Sequence, residues 1–180
     1  YYPVRHPFVR KTIEKLAAQG HLIGFHPSYE AYENAGTFER ELESLRQVSP
    51  VPVQTGRQHY LRFAAPFTWR TWDAAGMDWD STLGYSELEG FRCGICHDYP
   101  VFDFLERKML RLRENPLIAM DVTLAQYREL TPEKALESLL HLKEQVVRHG
   151  GEFVFLWHNS SWNTYFWARW KSVFLQFIST

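Results

Sequence analysis

Phe153 to Trp157 is a short apolar run, and His158 and Asn159 follow it directly. Gly150 and Gly151 precede the run and Ser160 and Ser161 close it. A run of this length without alternation predicts a strand buried on both faces, the kind found in parallel sheets covered by helices. Such folds gather their chemistry at the C-terminal strand ends, where a histidine can titrate near neutral pH or bind a metal. The pattern recurs along the chain. His26 follows the apolar stretch from His21 to Phe25, Asp80 lies near the tip of Asp78 to Leu83, and Asp121 follows Pro116 to Met120. If these strands run parallel, their polar ends meet at one face, where imidazoles and carboxylates would hold a divalent metal. A single strand-end histidine can equally be a satisfied loop residue.

Three other groups belong with these. His26 and Glu30 are four apart. Pro27 makes the segment a loop or a helix start, in which the pair would share a metal or Glu30 would stand as a solvated loop acid. Arg62, ahead of Pro66, would hold a catalytic carboxylate, clamp an anion or form a structural ion pair. Cys93, Cys96 and His97 spell C-x-x-C-H, the attachment pattern of c-type haem. The thiols also suit half of a zinc site or, at a helix start, a redox pair. The simplest reading is a packed loop with two small side chains.

The elements that must position these residues alternate between helix and strand. Pro7 to Ala18 predicts a helix with Val9, Ile13, Leu16 and Ala17 on its apolar stripe and Gly20 as its stop. Thr37 is expected to cap a helix from Phe38 to Val48, and Tyr60 to Phe63 to form a strand. Thr68 to Ala75 predicts a short helix ended by Gly76. Gly84 to Phe104 has no clear periodicity and predicts a long connection of the functional kind. Thr131-Pro132-Glu133 opens a further helix, with a cap, a proline at the first position and an acid in the first turn. Trp167, Trp170, Phe174 and Phe177 share one face of a closing helix. Alternation at this spacing suits repeated βα units, so the expectation is an α/β fold with a parallel sheet or barrel, in one domain over residues 1–180.

Composition narrows the function. The side chains are balanced, 20 basic against 21 acidic, which argues against a nucleic-acid partner. Nothing reaches the length of an apolar membrane span. The opening Y-Y-P-V-R-H-P is not a signal peptide, which leans toward a cytoplasmic setting, and it has no initiator Met. Aromatic residues make up 16% of the chain, enough to expect stacking surfaces as well as core packing.

Several strings carry a resemblance. G-H-L-I-G-F-H, residues 20–26, is similar to the start of the second motif of the polysaccharide deacetylases, the NodB-homology or carbohydrate esterase family 4-like proteins. L-R-F-A-A-P, residues 61–66, resembles their third motif, A-G-M-D-W-D-S, residues 75–81, the strand that follows, and L-W-H-N, residues 156–159, their last motif. The longer strings R-Q-H-Y-L-R-F and G-G-E-F-V-F-L-W-H-N-S-S-W look like a divergent bacterial branch. The resemblance implies a partial or distorted (β/α)7 barrel and a hydrolase that removes N- or O-acetyl groups from polysaccharide with a divalent metal, usually zinc. It implies His26 as a metal ligand, with Glu30 where the family has its second histidine. It implies His158 as general acid, Arg62 as the residue that orients the catalytic base, and Leu156 in the pocket for the acetyl methyl. Asp80 joins His158 and Arg62 as a candidate catalytic residue. The family's first motif, with its base and ligand Asp residues, would lie on a strand before Tyr1. The competing expectation is a catalytically inactive carbohydrate-binding or assembly module with Trp69, Trp157 or Trp162 lining an open groove.

Overall fold

Pro7 and Gly20 bound the first helix as their chemistry requires. The computed structural model describes residues 3–180, so the first two residues of the opening Y-Y-P lie outside the described residues. Helix α1 is Pro7–Ala18, with His6 as its N-cap. Gly20 follows at φ +85°, a conformation that costs a glycine little. None of the α1 residues is fully buried. Helix α2, Ala35–Arg46, starts three residues before the expected position. Asn34 is its cap, and its side chain accepts the Thr37 N–H, so Thr37 lies in the first turn and is not the cap. Phe38, Leu42 and Leu45 form its buried face.

Strand β1 is Thr55–Gly56, α3 is Phe67–Ala74, β2 is Trp79–Asp80, β3 is Tyr99–Asp103 and β4 is Lys108–Glu114. They form one sheet in the order β1-β2-β4-β3. β1, β2 and β4 run parallel, while β3 pairs antiparallel with β4. Phe25 adds one parallel bridge to Gly56, all that forms of the expected His21 to Phe25 strand. Tyr60 to Phe63 is not a strand: His59–Leu61 is a 3₁₀ turn and β1 lies earlier. The expected long connection also contains β3, whose partner β4 alternates buried Leu110, Leu112 and Glu114 with more exposed neighbours, the period of a half-buried strand. Inward-facing Asp103 is satisfied by Arg70, at 2.5 and 2.9 Å.

These elements make one compact unit, which runs through Thr82 and takes in Tyr99–Glu114. Phe25, Phe38 and Trp72 pack ring to ring at its centre, with centroids 5.0–6.1 Å apart. The second unit comprises Leu83–Asp98 and Asn115–Thr180. In it β5, Ala119–Met120, pairs in parallel with β6, Phe155–Leu156. Helix α4, Pro132–Arg148, starts at its expected cap, the Thr131 side chain accepting the Lys134 N–H. Helix α5, Lys171–Ser179, follows a 3₁₀ turn at Trp167–Arg169. Trp167, Trp170, Val173 and Phe177 close over Ala119, Leu124, Ala135 and Leu139.

The fold is α/β with small sheets, and the described residues form no closed barrel. Among the described residues, no helix is long and apolar enough to cross a membrane.

Close backbone approach fixes one glycine of the first unit. A Cβ on Gly56 would overlap the Phe25 carbonyl oxygen and come within 2.8 Å of the Trp72 ring, whereas one on Gly76, at φ +71°, would meet open space. Gly56→Ala is therefore expected to cost about 3 kcal/mol or more, from forced backbone movement in a packed core. Gly76→Ala should cost only about 1 kcal/mol of backbone strain. Urea unfolding midpoints of the two variants check the order.

Candidate functional site

In the first unit the ends of the parallel strands carry a connected polar cluster. β2 and β4 place Asp80 and Glu114 directly opposite one another in register, and both have no solvent exposure. Thr82 Oγ1 donates to Asp80 Oδ1. Trp69 Nε1 donates to Glu114 Oε2 at 2.9 Å. The two carboxyls lie side by side out of solvent, where burial disfavours a second negative charge. Burial accordingly raises the Asp80 pKa to about 7, against the opposing pull of Thr82 and the positive charge of Arg57. Arg57, one residue beyond β1, donates from its side chain to the Ser81 carbonyl at 2.6 Å and to Ser81 Oγ at 2.8 Å. Desolvation lowers its own pKa to about 10, partly offset by Asp80 and Glu114.

Arg57 also links this cluster to the surface. Its carbonyl oxygen accepts from His26 Nδ1 at 2.7 Å. With Nδ1 protonated, a neutral His26 presents Nε2 as an acceptor. His59 Nδ1 lies 2.9 Å from that Nε2 and is the donor in this tautomer. The two imidazoles thus meet edge to face, with centroids 4.9 Å apart. Glu30 is exposed, in the 3₁₀ turn Tyr29–Tyr32. Arg62 is held nearby. It donates to the Tyr29 carbonyl at 2.9 Å and to Glu33 at 3.2 Å, and its guanidinium lies 4.1 and 4.3 Å from the Tyr29 and Tyr32 ring centroids.

Tyr60 sits against His59 and Tyr29, with centroids 4.7 and 5.7 Å away. Tyr60 and Leu61 occupy the left-handed region at φ +56° and +52°. That region costs a side chain with a Cβ about 1–2 kcal/mol per residue.

In the second unit the tips of β5 and β6 carry Asp121 and His158. Asp121 has no solvent exposure. Its Oδ1 takes His158 Nδ1 at 2.6 Å and its Oδ2 takes the His158 backbone N–H at 2.9 Å. Burial alone would raise the Asp121 pKa, but the hydrogen bonds from His158 outweigh it and hold the carboxyl below its ordinary value. The His158 side chain remains 39% exposed. With Nδ1 committed to Asp121, the ring has Nε2 left for a proton transfer outside the pair.

Metal binding can be tested on the donor set. His26 has its Nδ1 tied to a backbone carbonyl, as metal-ligating histidines commonly do, and His59 supplies a second imidazole. A catalytic zinc takes three protein ligands. Among the described residues, no three His, Cys, Asp or Glu side chains are arranged to hold a metal ion. The described donors therefore do not complete a metal centre.

The remaining sequence candidates separate. Trp69 is buried on Glu114, and Trp157 and Trp162 are half-buried with centroids 6.2 Å apart. A recess of about 730 Å³ in the second unit is lined by Gln126, Glu129, Tyr165, Phe166, Arg169 and Trp170 among others. Cys93 opens no helix, and it forms no disulfide with buried Cys96. Cys96 packs on Ile118 and Val146, so tightly against Gly151 that a Cβ there would overlap it. His97 donates through Nε2 to the His149 carbonyl at 3.0 Å. Arg57, His59 and Glu114 were not among the sequence candidates. Their signals were the R-Q-H that follows V-Q-T-G, once β1 is placed there, and the alternation that ends at Glu114.

No protein-family model matches the chain, and no curated protein matches it. Among solved structures, its fold is similar to that of a Mycobacterium smegmatis protein provisionally assigned as a polysaccharide deacetylase, with a TM-score of 0.68 and 20% identity. The match covers 96% of this chain and spans 60% of that one. At this identity the likeness is one of fold.

The raised Asp80 pKa makes a test of the buried pair. Between the ordinary value of 3.8 and about 7, the folded chain keeps a proton that the unfolded chain has lost. Stability from this group is therefore fully present at low pH and falls as pH rises through that window. Asp80→Asn has no such titration. In urea unfolding, wild type should lose stability relative to Asp80→Asn between about pH 4 and pH 7, and the two should run parallel above that.

Proposed function

We propose that this chain is a deacetylase-like hydrolase acting on acetylated carbohydrate, in which His158 protonates the leaving amine or alkoxide and Asp121 positions it. The observation that carries the reading is the Asp121–His158 pair at adjacent parallel strand ends, within the L-W-H stretch that resembles the deacetylases' last motif. Asp121 fixes the ring through Nδ1, so that Nε2 is the atom that donates. The fold likeness to the M. smegmatis protein supports the same reading. A NodB-type barrel is the fold it implies.

Within this proposal the other expected residues take graded roles. Asp80 is a positioning residue, since it has no exposure to substrate and holds the cluster that fixes Arg57. Arg62 orders the Tyr29–Tyr32 turn. The resemblance makes His26 the first ligand of a divalent metal such as zinc, with Glu30 beside it, a role that needs His26 Nε2 released from His59.

The second reading is a carbohydrate-binding or assembly module without catalysis. The aromatic recess with Arg169 and Glu129 at its lining supports it.

Acetate release from an N-acetylglucosamine oligomer, measured with zinc present, separates the two. The hydrolase reading expects His158→Ala to lower the rate by about 10²–10⁴, the usual worth of a general acid. Asp121→Asn should lower it less. Wild-type protein that binds the oligomer but releases no acetate leaves the binding module.

A further inference from the structure

Tyr60 is 75% exposed in a conformation that a large side chain rarely adopts, at φ +56° and ψ +22°. Leu61 beside it is likewise left-handed, at φ +52°. Among the described residues, the other two non-glycine residues with positive φ, Arg107 and Glu129, lie outside helices and strands and are charged rather than aromatic. A tyrosine whose ring largely faces solvent gains little burial in return for the strain. Backbone strain of this kind concentrates at ligand sites, where the fixed geometry serves recognition.

The surroundings of the ring say what it would recognise. Its ring neighbours are His59 at 4.7 Å and Tyr29 at 5.7 Å, both close to perpendicular to it. Perpendicular neighbours brace the ring, and its exposure leaves room for a flat partner. Tyr29 is itself 48% exposed and is backed by Arg62, 4.1 Å from its centroid. Arg62 in turn is paired with Glu33. The patch therefore combines a braced aromatic face with imidazole, guanidinium and carboxylate groups at its margin. The C–H face of a pyranose stacks on such a ring, and its hydroxyls and acetamido group need polar partners of both kinds at the edge. Tyrosine suits the task because it gives rigid amphipathic contact area at a low cost in side-chain entropy.

We propose that Tyr60, braced by Tyr29 and His59, is the stacking platform for one sugar ring of the acetylated carbohydrate, and that its left-handed backbone is retained to present it. This deepens the functional reading above and rests on its choice of ligand class.

Calorimetric titration of wild-type protein with the N-acetylglucosamine trimer tests it, with Tyr60→Phe, Tyr60→Ala and Tyr60→Gly as variants. Stacking predicts trimer affinity within about threefold of wild type for Tyr60→Phe and about tenfold weaker for Tyr60→Ala and Tyr60→Gly. Thermal melting adds a readout that a packing residue would move the other way. Glycine relieves the strain at φ +56°, so Tyr60→Gly should melt at or above the wild-type temperature while losing affinity. Unchanged affinity in Tyr60→Gly overturns the proposal, as does a lowered melting temperature with unchanged affinity in Tyr60→Ala. Wild type that does not bind the trimer overturns it as well. The outcome is separable from catalysis. Trimer binding that depends on Tyr60, without acetate release, removes the hydrolase and keeps the platform. Acetate release that ignores Tyr60 does the reverse.

Discussion

Three carboxyl groups without solvent exposure, Asp80, Glu114 and Asp121, stand at the ends of parallel strands. A buried carboxyl must be neutralised, paired or hydrogen-bonded, because leaving it charged and alone costs several kcal/mol. The two units meet that demand in different ways. In the first, burial moves Asp80 toward neutrality opposite Glu114 and near Arg57. In the second, Asp121 stays ionised because His158 gives it two hydrogen bonds, one from the ring and one from the backbone. One kind of residue at one kind of position therefore does opposite jobs, set by the donors around it.

The consequence for the first unit is a chain of contacts from core to surface. The Asp80–Glu114 pair and Ser81 fix Arg57, the Arg57 carbonyl fixes the His26 tautomer, and His26 meets His59. Tyr60 leans on His59. The exposed end of this chain is where the backbone is strained, while its buried end is where the strands pair. In the second unit the corresponding chain is one step long, from Asp121 to a half-exposed His158. A short, fully paired link of that kind suits a side chain that must hold one orientation while it exchanges a proton.

Much of the second unit could be read in the residues. Thr131-Pro132-Glu133 marked the start of α4 because cap, proline and acid act locally. The apolar run ahead of His158 marked β6, although only Phe155–Leu156 pairs as strand and the run is half-buried, not buried on both faces as expected. The first unit was harder for physical reasons. Asn34 caps α2 across a sequence in which Thr37 looked equally suited. The strand expected at Tyr60 failed because Tyr60 and Leu61 take left-handed backbone that no propensity favours for them. Placing that strand too late hid Arg57 and His59. Glu114 was hidden by its own burial, since a charged strand-end residue reads as solvated until Trp69 and Asp80 are seen around it. Asp80, His26, Asp121 and His158 were legible as strand-end residues, but which of them touch depends on strand pairing that short apolar runs do not encode.

The central claim is that His158 delivers a proton to a departing sugar group. Leaving-group dependence tests this directly, since a group that departs as a stable anion needs no general acid. The measurement compares His158→Ala with wild type on two acetyl donors, the amide of an N-acetylglucosamine oligomer and the ester 4-nitrophenyl acetate. The account predicts that the variant loses the amide reaction by about 10²–10⁴ and keeps the ester reaction within about tenfold. Equal loss on both substrates, or no loss on the amide, would contradict it.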